Sequence, residues 1–198
     1  MAPLPLKNDL MTNRSVSLRL KMSVENVVWK WIKGYEGVYM ISNRGCVKSF
    51  KRYPSGRLLK PRADSGGYLY VGLHKDKKQI NKLIHRLVAE AFLWDWDKSK
   101  DVDHIDMNRL NNHVNNLRIA SQSQNQRNVI SLKGSTSKYK NVHWSRRASK
   151  WKVQIKVNGK QKHIGYFISG EEAGRAADSA AKTFLSEEDL VYYRFNFS

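Results

Sequence analysis

The sequence predicts an α+β chain made of small mixed modules in a row, and three observations carry that reading. Short runs of aromatic and β-branched residues alternate with glycine and asparagine turns from residue 29 to residue 83. The stretch 82–93 then switches to a helical period. Beyond residue 138 a hairpin signal and an alanine-rich helix predict a three-stranded antiparallel sheet packed on one helix.

Ordered sequence begins near Val27. Gly34, Gly37 and the turn Asn43-Arg44-Gly45 set off short strands at about 38–42 and 46–50. A hairpin is expected at 68–74 and 79–83, joined by the charged turn Lys75-Asp76-Lys77-Lys78. Leu83, Ile84, Leu87, Val88, Ala91 and Phe92 recur at spacings of three and four, which predicts an amphipathic helix over 82–93. A polar, acid-rich loop is expected from Asp95 to Asp106. The run Asn108, Asn111, Asn112, Asn115 and Asn116 then reads as tight turns braced by side chains. Leu117 to Ser121 reads as a short strand, and a helix starts near Ser121 and runs through Asn125 to about Asn128.

Gly134-Ser135-Thr136-Ser137 is the clearest boundary in the chain. Strands follow over 140–146, 150–157 and 161–167. The last two are joined by Asn158-Gly159, the strongest short hairpin signal. A helix over 171–185 completes the module. Its inner stripe is Ala173, Ala177, Ala180 and Phe184, with Ser169 as N-cap and Glu172 as its capping-box partner.

The chain has 198 residues, 40% of them hydrophobic, enough for one domain or a few small ones. It holds 36 Lys and Arg against 17 Asp and Glu, a net charge of +19. The excess is spread along the whole length. Residues 1–60 hold 12 basic and 3 acidic side chains, and residues 138–198 hold 12 and 6. Such a chain seeks polyanions, nucleic acid first and anionic membrane second. Cys46 is the single cysteine, which excludes an internal disulfide and a four-cysteine zinc staple and suits a reducing, cytoplasmic setting. No apolar run approaches the ~20 residues that span a bilayer. Residues 1–26, with Met11 and Met22 as possible starts, carry no assignable pattern and are expected to be disordered or an extension.

One constellation carries chemistry: Val102-Asp103-His104-Ile105-Asp106, then Asn115-Asn116-Leu117, then Gln124-Asn125-Gln126. Phosphodiester hydrolysis needs a base for the attacking water, neutralisation of charge on the phosphate, and stabilisation of the leaving oxygen. A hard cation on oxygen ligands supplies the last two, and a neutral imidazole supplies the first. Asp103 and the Asn125 carbonyl are suitable ligands, and His104 is the natural base. Neighbours on a strand face opposite ways, so Asp103 and His104 flank one phosphate only if the backbone bends there.

Residues 85–128 resemble the HNH (ββα-metal) endonucleases, especially the homing-endonuclease branch with one catalytic cation. The match is an acid-His pair, an asparagine-rich turn ending in Asn-Leu, and a helix carrying a last Asn, 22 residues after Asp103. The resemblance implies a ββα-metal nuclease core in which Asp103 and Asn125 bind Mg²⁺ or Mn²⁺. It makes His104 the general base, with Asn116 bracing the loop that aims it. His85 and Arg86 fall on a His-Arg-Leu-Val helix before the site. There they are second-layer or phosphate contacts, or His85 is a packed helix histidine. Two departures stand out. Met107 occupies a turn position where the family has glycine, and Ile119-Ala120 replaces Trp-Val.

The flanks add DNA-type grips. Residues 138–197 resemble the APETALA2/ethylene-response-factor domain in Tyr139-Lys-Asn-Val142, Trp151-Lys-Val-Gln-Ile155, Ile164-Gly-Tyr-Phe167 and the closing Phe195-Asn-Phe197. The resemblance puts the sheet in the major groove of double-stranded DNA. The alternation of Val153, Ile155 and Val157 with Lys152, Gln154 and Lys156 independently makes one face apolar and the other cationic. Lys140, His143, Arg146 and His163 join that face by position. Trp31 to Gly37 and Val38 to Ser49 resemble the NUMOD-type modules that accompany such nucleases.

The expected organisation is therefore a NUMOD-type module over 27–80, a nuclease core over 81–128, a linker over 129–137 and a DNA-binding module over 138–198. The function implied is a homing-type or phage-type DNA endonuclease, nicking or cleaving as a monomer on DNA. The alternative is a sequence-specific DNA-binding regulator with an inactive nuclease site. On this reading the flanks are separable, and removing residues 134–198 loosens binding without touching the chemistry.

Overall fold

The computed structural model describes residues 26–129 and 134–197. Residues 1–25 and positions 130–133 of the expected linker lie outside it. The chain divides into two compact units, one reaching to Trp94 and including Arg109–Asn116, the other comprising Asp95–Asn108 and Leu117 onward. Among the described residues no helix is long and apolar enough to cross a membrane.

The first unit contains two antiparallel sheets and a helix. Strands β1 (Trp29–Trp31), β2 (Tyr39–Ser42), β3 (Val47–Ser49) and β4 (Arg57–Leu58) pair in that order. Strands β5 (Arg62–Ala63), β6 (Leu69–Lys75) and β7 (Lys78–Leu83) form the other sheet. Asp76 and Lys77 both adopt positive φ in the two-residue turn between β6 and β7, the conformation whose twist suits a tight hairpin. Helix α1 (Ile84–Phe92) has no side-chain cap at its N-terminus. Burial holds it: Ile84, Leu87 and Val88 enter the core with Ile41, Val47, Val71 and Leu73, each such side chain contributing roughly 1.5–3 kcal/mol. Lys30 donates from Nζ to the Ala91 carbonyl at 2.8 Å, placing a cation at the negative end of α1.

The asparagine-rich segment docks on the Asn43–Gly45 turn. The Val114 amide donates to the Asn43 carbonyl at 2.8 Å. A Cβ on Gly45 would lie 2.8 Å from the Asn112 Cβ, and Gly45 has φ +78°, so both the space and the backbone require glycine. A 3-10 turn, Val114–Asn116, ends the segment, and Asn116 Nδ2 donates back to the Asn111 carbonyl at 2.8 Å. Asn116 thus ties the turn that carries it to its own start.

The second unit begins with a hairpin-like pair and a short helix. Strand β8 (Asp101–His104) pairs antiparallel with β9 (Leu117–Ala120), and α2 (Gln122–Arg127) packs against both. The acid-rich stretch expected as loop from Asp95 to Asp106 therefore contains a strand, because pairing with β9 satisfies its backbone. Ser121 caps α2 in a complete capping box with Gln124.

Strands β10 (Val142–Ser145), β11 (Lys150–Val157) and β12 (Lys160–Phe167) form a three-stranded antiparallel sheet, with α3 (Gly170–Phe184) packed on it. Asn158 and Gly159, both at positive φ, make the β11–β12 turn. Ser169 caps α3 by accepting from the amides of Glu171 and Glu172. Buried Ala173, Ala177, Ala180 and Ala181 bring α3 close to Val142, Val153 and Ile155. The Asp178 carboxylate accepts from the amides of Asn196 and Phe197 at 3.0 Å and from Asn196 Nδ2 at 2.9 Å, tying the chain end to the helix. A last helix, α4 (Glu187–Tyr192), capped by Ser186, turns back onto α2.

Candidate active site

The register of β8 and β9 builds the site. Asp103 stands directly opposite Arg118, and His104 opposite Leu117. Alternation puts Asp101 and Asp103 on one face of β8 and Val102 and His104 on the other. The acidic face looks onto α2. Asn125 and the C-cap residue Asn128 are three residues apart on that helix, hence on one side of it.

Each carboxylate meets one amide. Asn125 Nδ2 donates to Asp101 Oδ2 at 3.2 Å. Asn128 Nδ2 forks, reaching Asp103 Oδ1 at 3.1 Å, the His104 carbonyl at 2.8 Å and the Ile105 carbonyl at 3.3 Å. Arg118 donates to Asp103 Oδ2 from Nε and Nη2, both at 2.8 Å. Asp103, His104 and Asn128 are 5%, 4% and 5% exposed. Sequence reasoning missed Asp101, Arg118 and Asn128. The Asp-x-Asp alternation and the Asn125/Asn128 spacing were the available signals, but nothing local marks Arg118.

The strand runs straight through His104, and the bend comes only after it. The Met107 amide donates to the His104 carbonyl at 2.8 Å, closing a tight turn. Met107 sits at φ +63°, so the position where the resemblance puts glycine does adopt the backbone that favours glycine. Asp106 Oδ1 accepts from the Asn108 amide at 2.8 Å within the same turn. The bend expected between Asp103 and His104 is therefore absent: the two side chains leave opposite faces of β8, both buried, next to the end of the strand.

The donor set suits a divalent cation. Every candidate ligand atom here is oxygen, which fits Mg²⁺ or Mn²⁺. A carboxylate offers about four acceptor sites, and the three bonds to Asp103 leave room on Oδ1 for one more partner. Asn125 spends its Nδ2 on Asp101, while the amide that meets Asp103 is that of Asn128. Among the described residues no cluster of three or more His, Cys, Asp or Glu is gathered for a metal. The residues thus fit a cation held by one or two protein oxygens and completed by phosphate and water, not an all-protein cage.

His85, Arg86 and Asn116 belong to the first unit, and Asp103, His104 and Asn125 to the second. His85 is buried at the start of α1 with its ring 5.0 Å from that of Tyr68, and Arg86 is half-buried. The cross-strand pairs His143 with Lys152, Gln154 with His163 and Lys156 with Gln161 line the outer face of the C-terminal sheet. Burial lowers the His143 pKa, with Lys152 and His163 adding to it. Arg146 is exposed in the β10–β11 turn. Lys140 does not join this face. Its ammonium donates to the Arg127 carbonyl and lies 4.4 Å from the Tyr193 ring, and burial brings its pKa down to about 8.

Residues 28–74 match the NUMOD4 motif, and residues 82–127 match the HNH endonuclease family. DNA endonuclease I-HmuI of Bacillus phage SP01 is 44% identical over 103 residues, covering 52% of this chain and 58% of that protein. The SPbeta prophage-derived putative HNH homing endonuclease YosQ of Bacillus subtilis is 45% identical over 75 residues, covering 36% and 43%. A solved structure of the HNH homing endonuclease I-HmuI, described for DNA binding and cleavage, aligns with a TM-score of 0.47 at 32% identity over 75% of this chain and 82% of that one. This chain thus spans about half the length of the relatives it matches. It carries an HNH endonuclease domain over residues 82–127, preceded by a NUMOD4 motif over residues 28–74.

Proposed function

We propose that this protein is a metal-dependent DNA endonuclease of the homing or phage type that hydrolyses phosphodiester bonds as a monomer on double-stranded DNA. The observation that supports it most is the ββα arrangement of β8, β9 and α2, which faces Asp103 with the Asn125/Asn128 side of the helix and ends the strand at His104. Asp103 and Asn125 hold one Mg²⁺ or Mn²⁺. When bound, that cation supplies charge neutralisation at the phosphate and at the leaving oxygen. His104 takes the proton from water. Asn128 holds the successive carbonyls of His104 and Ile105, which keeps the imidazole at the strand end. Asn116 braces the asparagine-rich turn.

The grips follow the same division. Residues 27–80 form a DNA-contacting module, 81–128 the nuclease core and 138–198 an APETALA2-like module. His143, Arg146, Lys152, Gln154, Lys156 and His163 of the last contact DNA, with Lys and Gln suited to guanine and adenine edges. His85 and Arg86 support the core. Incubating supercoiled plasmid with the protein tests the reading. Cleavage should require Mg²⁺ or Mn²⁺, and His104→Ala should abolish it while leaving DNA affinity nearly intact. A cleaving His104→Ala protein would remove the base assignment, and metal-independent cleavage would remove the cation. A parent protein that binds DNA and never cuts it would favour the regulator reading.

A further inference from the structure

We propose that Arg118 is a positioning residue for Asp103, and that the C-terminal end of α4 holds Arg118 in place. The inference rests on the reading of Asp103 as a cation ligand. The Arg118 guanidinium is fixed on three sides. Its Nε and Nη2 meet Asp103 Oδ2, and its Nη1 donates to the Val191 carbonyl at 2.7 Å. Its Cζ lies over the Tyr192 ring, 4.2 Å from the centroid. Tyr192 is itself tied to the strand that carries Arg118, donating from its hydroxyl to the Ile119 carbonyl at 2.7 Å.

Helix α4 is anchored at both ends of this relay. Toward the nuclease core, Gln124 Nε2 donates to Glu188 Oε1 at 3.1 Å, and Arg127 pairs with Asp189. Toward the C-terminal module, Leu190 and Tyr193 pack with Ile155, Ala180, Ala181 and Leu185. Leu190 and Tyr193 therefore root the segment in the module's core, while Val191 and Tyr192 between them address Arg118. A planar guanidinium held this way fixes the carboxylate it binds more tightly than a lysine ammonium would. It leaves Asp103 Oδ1 as the edge presented for a cation.

Full-length Arg118→Gln, Arg118→Lys, Tyr192→Leu and Tyr192→Phe test the relay beside Asp103→Ala. Mn²⁺ affinity is read by electron paramagnetic resonance on the protein alone. The Mg²⁺ midpoint of plasmid cleavage, metal-free DNA affinity and thermal unfolding are measured on the same proteins. Arg118→Gln should weaken Mn²⁺ binding and raise the Mg²⁺ midpoint by about 10–100-fold, as removal of a partner behind a metal ligand does. Tyr192→Leu should move both in the same direction by about 3–10-fold, with Tyr192→Phe and Arg118→Lys in between. Metal-free DNA affinity should stay within about twofold, since none of these changes removes a phosphate-binding group.

Unchanged Mn²⁺ affinity would overturn the inference, because the arginine would then serve stability alone. Tighter Mn²⁺ binding would also overturn it, because the guanidinium would then be a competitor of the cation. If Arg118→Gln does not fold, Arg118→Lys and Tyr192→Phe decide by the same measures. A cleaving Asp103→Ala protein would remove the reading of Asp103 as a cation ligand and this inference with it. An inactive Asp103→Ala beside Arg118 and Tyr192 variants with the parent's metal response would remove this inference alone.

Discussion

At Met107 a left-handed backbone carries a side chain with no means of stabilising it. The residue sits at φ +63° in the turn that follows His104. That conformation costs an ordinary residue about 1–2 kcal/mol, and glycine gives back about 0.5–1 kcal/mol through its freer unfolded chain. Met107→Gly should therefore raise stability by about 0.5–1 kcal/mol in urea unfolding. A destabilised variant would mean that the methionine side chain makes packing worth more than the strain. Asn128 is the opposite case, a buried amide serving three acceptors at once. Asn128→Ala should cost roughly 1–3 kcal/mol, because Asp103 Oδ1 and the Ile105 carbonyl lose a donor away from water, while the His104 carbonyl keeps the Met107 amide. Its cleavage rate should fall with Mg²⁺ saturating, and a variant with the parent's rate would show that the fork serves folding only. The sequence made Asp103, His104 and Asn125 visible because their types and spacing form a pattern along the chain. It hid Arg118 and Asn128, whose roles depend on which residue a neighbouring strand or helix sets opposite Asp103.

Elements with a strong period were legible and short ones were not. The hairpin of β6 and β7, helix α1, and the β11–β12 pair with its Asn-Gly turn all lie within a residue or two of where the pattern puts them. Strand β8 was hidden because its alternate positions are carboxylates, which read as a loop until the partner arginine and the α2 amides are known. Helix α4 has six residues and three acids in its first turn, too little apolar periodicity to detect. Lys140 was misplaced for a related reason. Position along the chain suggested the sheet face, but β10 starts only at Val142, and the preceding segment turns the lysine inward to Arg127. Its pKa of about 8 gives a test. Between about pH 8 and pH 10.4 the unfolded chain holds a proton that the folded chain has released, so this group makes stability rise with pH. Lys140→Met removes that contribution. Its stability relative to the parent should therefore be greatest near neutral pH and decline as pH rises through the window, read from urea midpoints at several pH values. A difference between the two proteins that does not vary with pH would show that Lys140 keeps an ordinary pKa.

The chain as a whole was expected to divide cleanly into a cutter and a detachable grip, and the second unit does not divide that way. Val191, Tyr192, Asp189 and Glu188 all reach β9 or α2, and the Arg194 amide donates to the Arg127 carbonyl at 3.0 Å. Two manipulations that both weaken the grip should then part company. Replacing Lys152, Gln154 and Lys156 with alanine changes only the outer face of the sheet. It should lower DNA affinity and flatten the salt dependence, by roughly 0.9 in log–log slope for each phosphate no longer neutralised. Cleavage at saturating protein should keep the parent's rate. A chain ending at residue 133 lacks the same face and also the partners of Arg118, Gln124 and Arg127. Its cleavage rate at saturating protein should fall at least about 10-fold beyond the drop in affinity, and its nuclease core should unfold at lower denaturant. Single-turnover plasmid cleavage, with protein raised until the rate no longer changes, separates the two effects. If the shortened chain reached the parent's plateau rate, the C-terminal module would be a grip and nothing more, and the bonds from α4 to the site would have no part in cutting.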